Sequence, residues 1–217
     1  MAFNDYCPLC FSEATVLFHE VRDRAMNRDF MRCTSCDLVS VPRRFHVGPE
    51  AEKKRYLEHN NDPDSEDYRA FLNRLWERFR PYLRTGSKGL DYGAGPGPAL
   101  AAMMEDDGFE VFVYDKYFSP DMAVLDDSYD FIVCTETVEH FENPALDFTV
   151  FERILKPSGW VGIMTAMIED WSKFPGWYYH RDPTHIAFYS VDTMNWIAEK
   201  HGWQSVLIQG NIALFQG

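Results

Sequence analysis

A chain of 217 residues is long enough for one large domain, or for a catalytic domain of ordinary size with a small appendage. Its 46% apolar content, with six Trp, eleven Tyr and seventeen Phe, can fill a packed core, yet no apolar run approaches the ~18 residues that cross a bilayer. A net charge of −13 and an N-terminus without a basic-then-apolar leader point to a soluble cytoplasmic protein, without the broad positive field that holds a phosphate backbone.

The first element is Cys7-Pro-Leu-Cys10 followed, after 22 residues, by Cys33-Thr-Ser-Cys36. A CxxC turn presents two sulfurs at one corner of a tetrahedron, and two such turns complete a four-sulfur site. In a reducing compartment this spacing points to structural zinc rather than to disulfides or unmetallated thiols. Ala14–Phe18, Asp29–Arg32 and Cys36–Val41 read as short strands carrying the turns. A segment this small has too little core to fold alone, so metal binding is expected to stabilise it, with substrate docking as a second use. Arg22, Arg24, Arg28, Arg32, Arg43 and Arg44 all lie here, and residues 1–50 hold six Arg against seven acids. Beyond residue 50 the balance is 15 Lys and Arg against 27 acids, which disfavours nucleic acid as a partner.

Residues 50–67 are polar and charged, ending in the loop-forming Asn60–Ser65. They read either as a solvated connector or, through His59 and Asn61, as a lid over a cofactor. Tyr68, Phe71, Leu72, Leu75, Trp76 and Phe79 then recur at helical spacing until Pro81.

A short strand leads into Leu90-Asp-Tyr-Gly-Ala-Gly-Pro-Gly97 and a helix over Ala99–Glu105. Glycines let backbone approach a ligand, but Pro98 stands where a dinucleotide fingerprint needs its third glycine. Asp91 before the loop suits a cationic ligand such as an ammonium or a sulfonium. Glu110–Tyr114 is the next strand, and Asp115 at its end can accept both hydroxyls of a ribose.

In this order the residues resemble the class I S-adenosylmethionine-dependent methyltransferases. Leu90–Gly97 resembles the family's first motif, Ser128–Cys134 its fourth strand, and Thr135–Phe141 the segment beside the transferred methyl. Ile154–Gly159 resembles the turn into strand five, with Ser158 in place of a glycine. A closer resemblance is to bacterial members with a four-cysteine module and the segment Tyr178-Tyr-His-Arg-Asp-Pro-Thr-His185.

The resemblance covers about residues 50–217 and implies an α/β fold: a Rossmann-like, mostly parallel sheet with an antiparallel last strand and helices on both faces. A small zinc-ribbon-like module precedes it, so the expected division is 1–46 module, 47–86 linker with helix or lid, and 87–217 methyltransferase domain. Only Met122–Leu125 is available for the family's third strand, which leaves the adenine side undetermined. Trp160–Thr165 reads as strand five, and Val191–His201 as a helix between Ser190 and Gly202. A hairpin follows, turning at Gly210-Asn211.

For the cofactor, the resemblance implies contacts from Asp91, Gly93, Ala94, Gly95, Gly97, Asp115, Lys116, Thr135, Glu136 and the lid residue His59. Catalytic roles fall to His140, Glu139 and His185, with His140 as the acceptor's base or, alternatively, a helix cap. His185 either shapes the acceptor pocket or bonds a loop carbonyl. No second metal site is expected there. Trp171, Phe174, Trp177, Tyr178 and Tyr179 read as an aromatic lid. The function implied is methyl transfer to a small molecule such as a sugar, a quinone-like ring or a natural-product intermediate. A ribosomal-RNA base methyltransferase docking RNA through its zinc module is the alternative, and a non-catalytic binding scaffold the third reading.

Overall fold

A computed structural model describes residues 6–24, 26–58 and 61–217. Its larger sheet has six strands: β4 (Lys88–Tyr92), β5 (Glu110–Tyr114), β6 (Tyr129–Thr135), β7 (Leu155–Met164), β10 (Gln204–Gln209) and β11 (Ile212–Gln216). They lie in the order β10-β11-β7-β6-β4-β5, with β5, β4, β6 and β7 parallel, β11 antiparallel to β7 and β10 antiparallel to β11. This is the expected α/β arrangement.

Alternation along β6 explains how the sheet is covered. Phe131 and Val133 face α2 (Glu66–Phe79) and α3 (Ala99–Asp106), packing with Leu75, Trp76, Phe79 and Met104. Ile132 and Cys134 face α4 (Pro144–Ile154) and α5 (Val191–His201), packing with Phe148, Phe151 and Ile197. Both sides of β6 are therefore apolar, as a central parallel strand requires. Cys134 is fully buried in this core.

Several expectations are corrected. Met122–Asp126 is a 3₁₀ turn rather than a third strand, because the Asp121 carboxylate accepts from the Ala123 amide and coils the segment. β5 is consequently the sheet edge. Pro49–Leu57, read as a connector, is a helix, α1. Its proline occupies the first turn, where a missing N–H costs nothing. Residues Leu155–Gly159, expected as a turn, already belong to β7.

A second sheet has the order β1-β2-β3-β9-β8, built from β1 (Thr15–Arg22), β2 (Asn27–Cys33), β3 (Val39–Ser40), β8 (Met167–Ile168) and β9 (Ala187–Ser190). Val39 pairs with Phe188 and Ser40 with Ala187, so the cysteine-bearing strands share hydrogen bonds with the segment after His185. Phe30, Val39, Phe174, Phe188 and Trp177 fill the core of this sheet, with ring centroids of Phe30 and Phe174 5.2 Å apart. Trp171, Phe174 and Trp177 are therefore packing residues, and of the predicted aromatic lid only Tyr178 and Tyr179 reach the cavity described below. No helix among the described residues is long and apolar enough to cross a membrane.

Candidate active site

The chain order reverses at β4, whose neighbours are β5 and β6. Parallel sheets open a crevice at the carboxyl ends of such strands. A cavity of about 890 Å³ lies there, running from Asp91, Gly93 and Asp115 to His140, Tyr178 and His185.

The loop after β4 is held from two sides. The amides of Gly93 and Ala94 donate to the Tyr114 carbonyl at 2.7 and 3.2 Å, and the Gly95 amide donates to Asp115 Oδ2 at 3.0 Å. Gly93 has φ of +83°, and a Cβ there would collide with Thr137, so only glycine fits. Gly97 is crossed by Asn61, whose main-chain oxygen stands where a Cβ would go. Asn61 thus covers the loop, while His59 lies outside the described residues.

Asp115 is 8% exposed and also accepts, through Oδ1, from the amides of Tyr117 and Phe118 at 2.8 and 3.0 Å. Three bonds leave lone-pair capacity toward the cavity, since an ionised carboxylate offers about four sites. Asp91 is 2% exposed and its Oδ1 is buried without a hydrogen-bond partner. Burial, aided by the charge of Asp115, raises its pKa to about 7. An orphaned buried carboxylate oxygen facing a cavity is suited to a cationic group.

Lys116 lines the cavity, but its ammonium is directed to Glu52 at 2.7 Å. Glu52 is a buried acid of α1 that also receives the hydroxyls of Tyr56 and Tyr117 at 2.5 and 2.7 Å. Burial opposes its charge, yet these three donors hold it below the ordinary carboxylate range. Next along α1, Arg55 clasps Asp182 Oδ2 at 2.9 Å. Glu52, Arg55 and Tyr56 were missed in the sequence because α1 has no apolar stripe. Four acids and bases at i, i+3 spacing were the available signal.

Thr135, Glu136, Glu139 and His140 come from the end of β6 and the turn after it, and all line the cavity. Glu136 adopts φ of +47°, and burial followed by the charge of Glu139 raises its pKa to about 9. Glu139 is fully buried and receives the hydroxyls of Tyr179 and Thr165. His140 Nδ1 lies 2.9 Å from the Thr184 carbonyl, and His185 Nδ1 lies 2.8 Å from the Tyr179 carbonyl. A carbonyl only accepts, so both Nδ1 atoms carry the proton and both Nε2 atoms keep a lone pair. Burial lowers each imidazole to about 4, which keeps both neutral. Capping of the next helix falls to Asn143, whose side chain accepts from the Leu146 amide, so His140 is not a cap.

Arg28 donates to the carbonyls of Asp182 and His185 at 2.8 and 2.5 Å while only 4% exposed. It braces the His185 loop, a role hidden in a sequence where it read as one of a basic cluster. Four other arginines of that cluster also meet acids: Arg22 and Arg44 with Asp29, Arg32 with Asp37, Arg43 with Glu142.

The four cysteines converge as predicted. Cys7 and Cys36 sulfurs are 3.4 Å apart, Cys10 and Cys33 3.5 Å, and all four lie within 4.8 Å of one another. Tetrahedral bonds of ~2.3 Å to one ion would put the sulfurs ~3.8 Å apart, so the donor set fits. Asp37, next to Cys36, receives Trp171 Nε1 at 2.9 Å and the Ser190 hydroxyl at 2.5 Å, which fastens the cysteine turn to the catalytic side.

Residues 57–208 match a sequence family described as a methyltransferase domain. Among solved structures, a SAM-dependent methyltransferase from Archaeoglobus fulgidus aligns over 69% of this chain and 94% of its own, with 16% identity and a TM-score of 0.53. The 1,6-didemethyltoxoflavin-N1-methyltransferase of Burkholderia thailandensis, solved with 1,6-didemethyltoxoflavin and S-adenosylhomocysteine, aligns over 91% of this chain and 99% of its own, with 12% identity and a TM-score of 0.57. A Pyrococcus horikoshii protein aligns over 75% and 98%, with 17% identity and a TM-score of 0.52. At such identities the likeness is one of fold. No curated protein sequence matches the chain.

Proposed function

Since the chain belongs to the methyltransferase-domain family, and is an enzyme of that class, we propose that it methylates a small molecule held between the β6 turn and the His185 loop. The donor is S-adenosylmethionine, which supplies an electrophilic methyl on a positively charged sulfur. Asp91 answers the donor's positive charge, the Gly93–Gly97 backbone lies along it, and Asp115 takes the ribose hydroxyls. His140 receives the acceptor's proton or forms its nearest polar contact, with His185 and Glu139 shaping the same end. Phe118 and Tyr114 line the cavity where a third strand would otherwise contact the adenine.

The observation that carries this reading is the single cavity joining Asp115 to His185. At about 890 Å³ it stands at the upper end of the ~300–1,000 Å³ of ligand pockets, leaving room for an acceptor beside a nucleoside. Against the RNA alternative stands the net charge of −13, with Arg22, Arg32 and Arg44 each meeting an acid of the same module. A sugar, a quinone-like ring or a natural-product intermediate suits the tyrosines and histidines of the acceptor end. Incubation with methyl-labelled S-adenosylmethionine and a metabolite extract tests the reading; label appearing only in RNA would overturn it.

Asp91 predicts a pH dependence of donor binding. Its raised value means that the unliganded protein holds a proton there below about pH 7, and a cationic ligand needs that proton released. Affinity is expected to fall as pH drops from 8 to 5.5, approaching roughly tenfold per unit below 7. Calorimetry in buffers of differing ionisation enthalpy should record proton release, and Asp91→Asn should abolish it. The unliganded fold has the opposite slope. The folded state keeps the proton longer than the unfolded chain, so this group's stabilisation is complete below the unfolded value and is lost as pH rises through about 7.

The ion at the cysteines is proposed as zinc, one per chain. Elemental analysis of protein purified without chelator should return one equivalent, and Cys36→Ser should lower it. Metal-free protein with four freely titrating thiols would overturn the assignment. A thiolate metal site also suits a reducing, cytoplasmic compartment.

A further inference from the structure

The acceptor end of the cavity has a property beyond proton acceptance. One candidate ligand atom from each of Glu139, His140 and His185 lies within 4.8 Å of the other two. We propose that these three side chains bind a divalent transition-metal ion, and that the acceptor is a hydroxyl compound whose oxygen completes its coordination. This rests on the methyl-transfer reading and narrows its substrate class.

Three observations support the site. The first is spacing: an ion ~2.0–2.2 Å from nitrogen and oxygen ligands holds them ~3.3–4.4 Å apart, and the three candidate atoms are gathered within 4.8 Å of one another. The second is orientation. Metal-binding histidines donate the opposite ring N–H to a carbonyl or carboxylate, which fixes tautomer and direction. Both histidines do so here, on the carbonyls of Thr184 and Tyr179, and their rings lie 4.9 Å apart. The third is support for the carboxylate. Glu139, fully buried, is steadied by hydroxyls from Tyr179 and Thr165, and each oxygen retains a further lone pair. Arg28 braces the loop that delivers His185.

Two imidazoles and one carboxylate select borderline divalent ions such as Zn²⁺, Co²⁺ or Fe²⁺ over hard Mg²⁺, and differ from the softer four-thiolate set. Three protein ligands leave an open position toward the cavity. A hydroxyl bound there loses its proton to solvent more readily than a free one. Its oxygen then bonds to the methyl carbon as the carbon–sulfur bond breaks, and that electron pair stays on sulfur as a neutral thioether. Coordination would occupy the His140 lone pair, so the ion takes over the acidifying task from the free imidazole.

Co²⁺ is the probe. The zinc-loaded protein is titrated by calorimetry while its visible spectrum is recorded. One further equivalent, with d–d bands but no thiolate charge transfer, is expected. His185→Ala and Glu139→Gln should each weaken that equivalent at least tenfold, judged in whichever variant keeps the parent's unfolding temperature. An absent second equivalent, a spectrum of thiolate ligation, or unchanged affinity in the folded variant overturns the proposal. If S-adenosylmethionine still binds in that case, the methyl-transfer reading stands without the ion; if neither binds, both fall.

Discussion

His140→Ala is expected to lower acceptor turnover by roughly 10²–10⁴-fold while leaving S-adenosylmethionine affinity within about twofold of the parent. The ring lines the end of the cavity proposed for the acceptor, edge-on to Tyr56 at 4.9 Å, and its Nδ1 is spent on the Thr184 carbonyl. What alanine removes is the Nε2 lone pair, which is needed whether the proton goes to imidazole or an ion acidifies the hydroxyl. Steady-state kinetics with a known acceptor, paired with calorimetry of the donor, checks both halves. His185→Ala is the companion variant and should act mainly on acceptor KM. Near-parental turnover in His140→Ala would remove that residue from the chemistry. A collapse confined to His185→Ala would move the base to the His185 loop.

Asp115→Ala should weaken S-adenosylmethionine or S-adenosylhomocysteine by at least tenfold. A hydrogen bond to a charged group contributes about 1.5–3 kcal/mol, and about 1.4 kcal/mol is tenfold in affinity. Loss of the proposed ribose contact is joined by a second effect. The same carboxylate accepts from the amides of Gly95, Tyr117 and Phe118, so alanine also frees the glycine loop from the end of β5. Asp115→Asn, which keeps one carbonyl acceptor, should fall between parent and alanine. Equal donor affinity in all three proteins would show that ribose binds elsewhere.

What the sequence disclosed was local in origin. The capping box at Ser190 and the left-handed Gly202 bound α5 where Ser and Gly place them, and the alternation in β6 follows its two covered faces. The glycine loop, Asp91 and Asp115 come together because strand ends in a parallel sheet converge. Features set by distant partners stayed hidden. Glu52 reads as one charge among many until Lys116 and Tyr117 reach it. Arg28 reads as a surface cation until the carbonyls of Asp182 and His185 enclose it. The pairing of β3 with β9 joins segments whose hydrophobic patterns carry no record of each other. Met122–Leu125 misled for a similar reason: four apolar residues satisfy a strand pattern, and an aspartate one position earlier coils them.

That β3–β9 pairing also bears on biosynthesis. β1, β2 and β3 leave the ribosome well before β9 exists, so the inner edge of β3 has no strand to bond until most of the catalytic sheet has been made. Contacts this distant along the chain close slowly, and an open strand edge on a waiting intermediate invites pairing with other chains. Early metal capture by the four cysteines would give the waiting strands a local anchor, making metal supply during translation a determinant of yield.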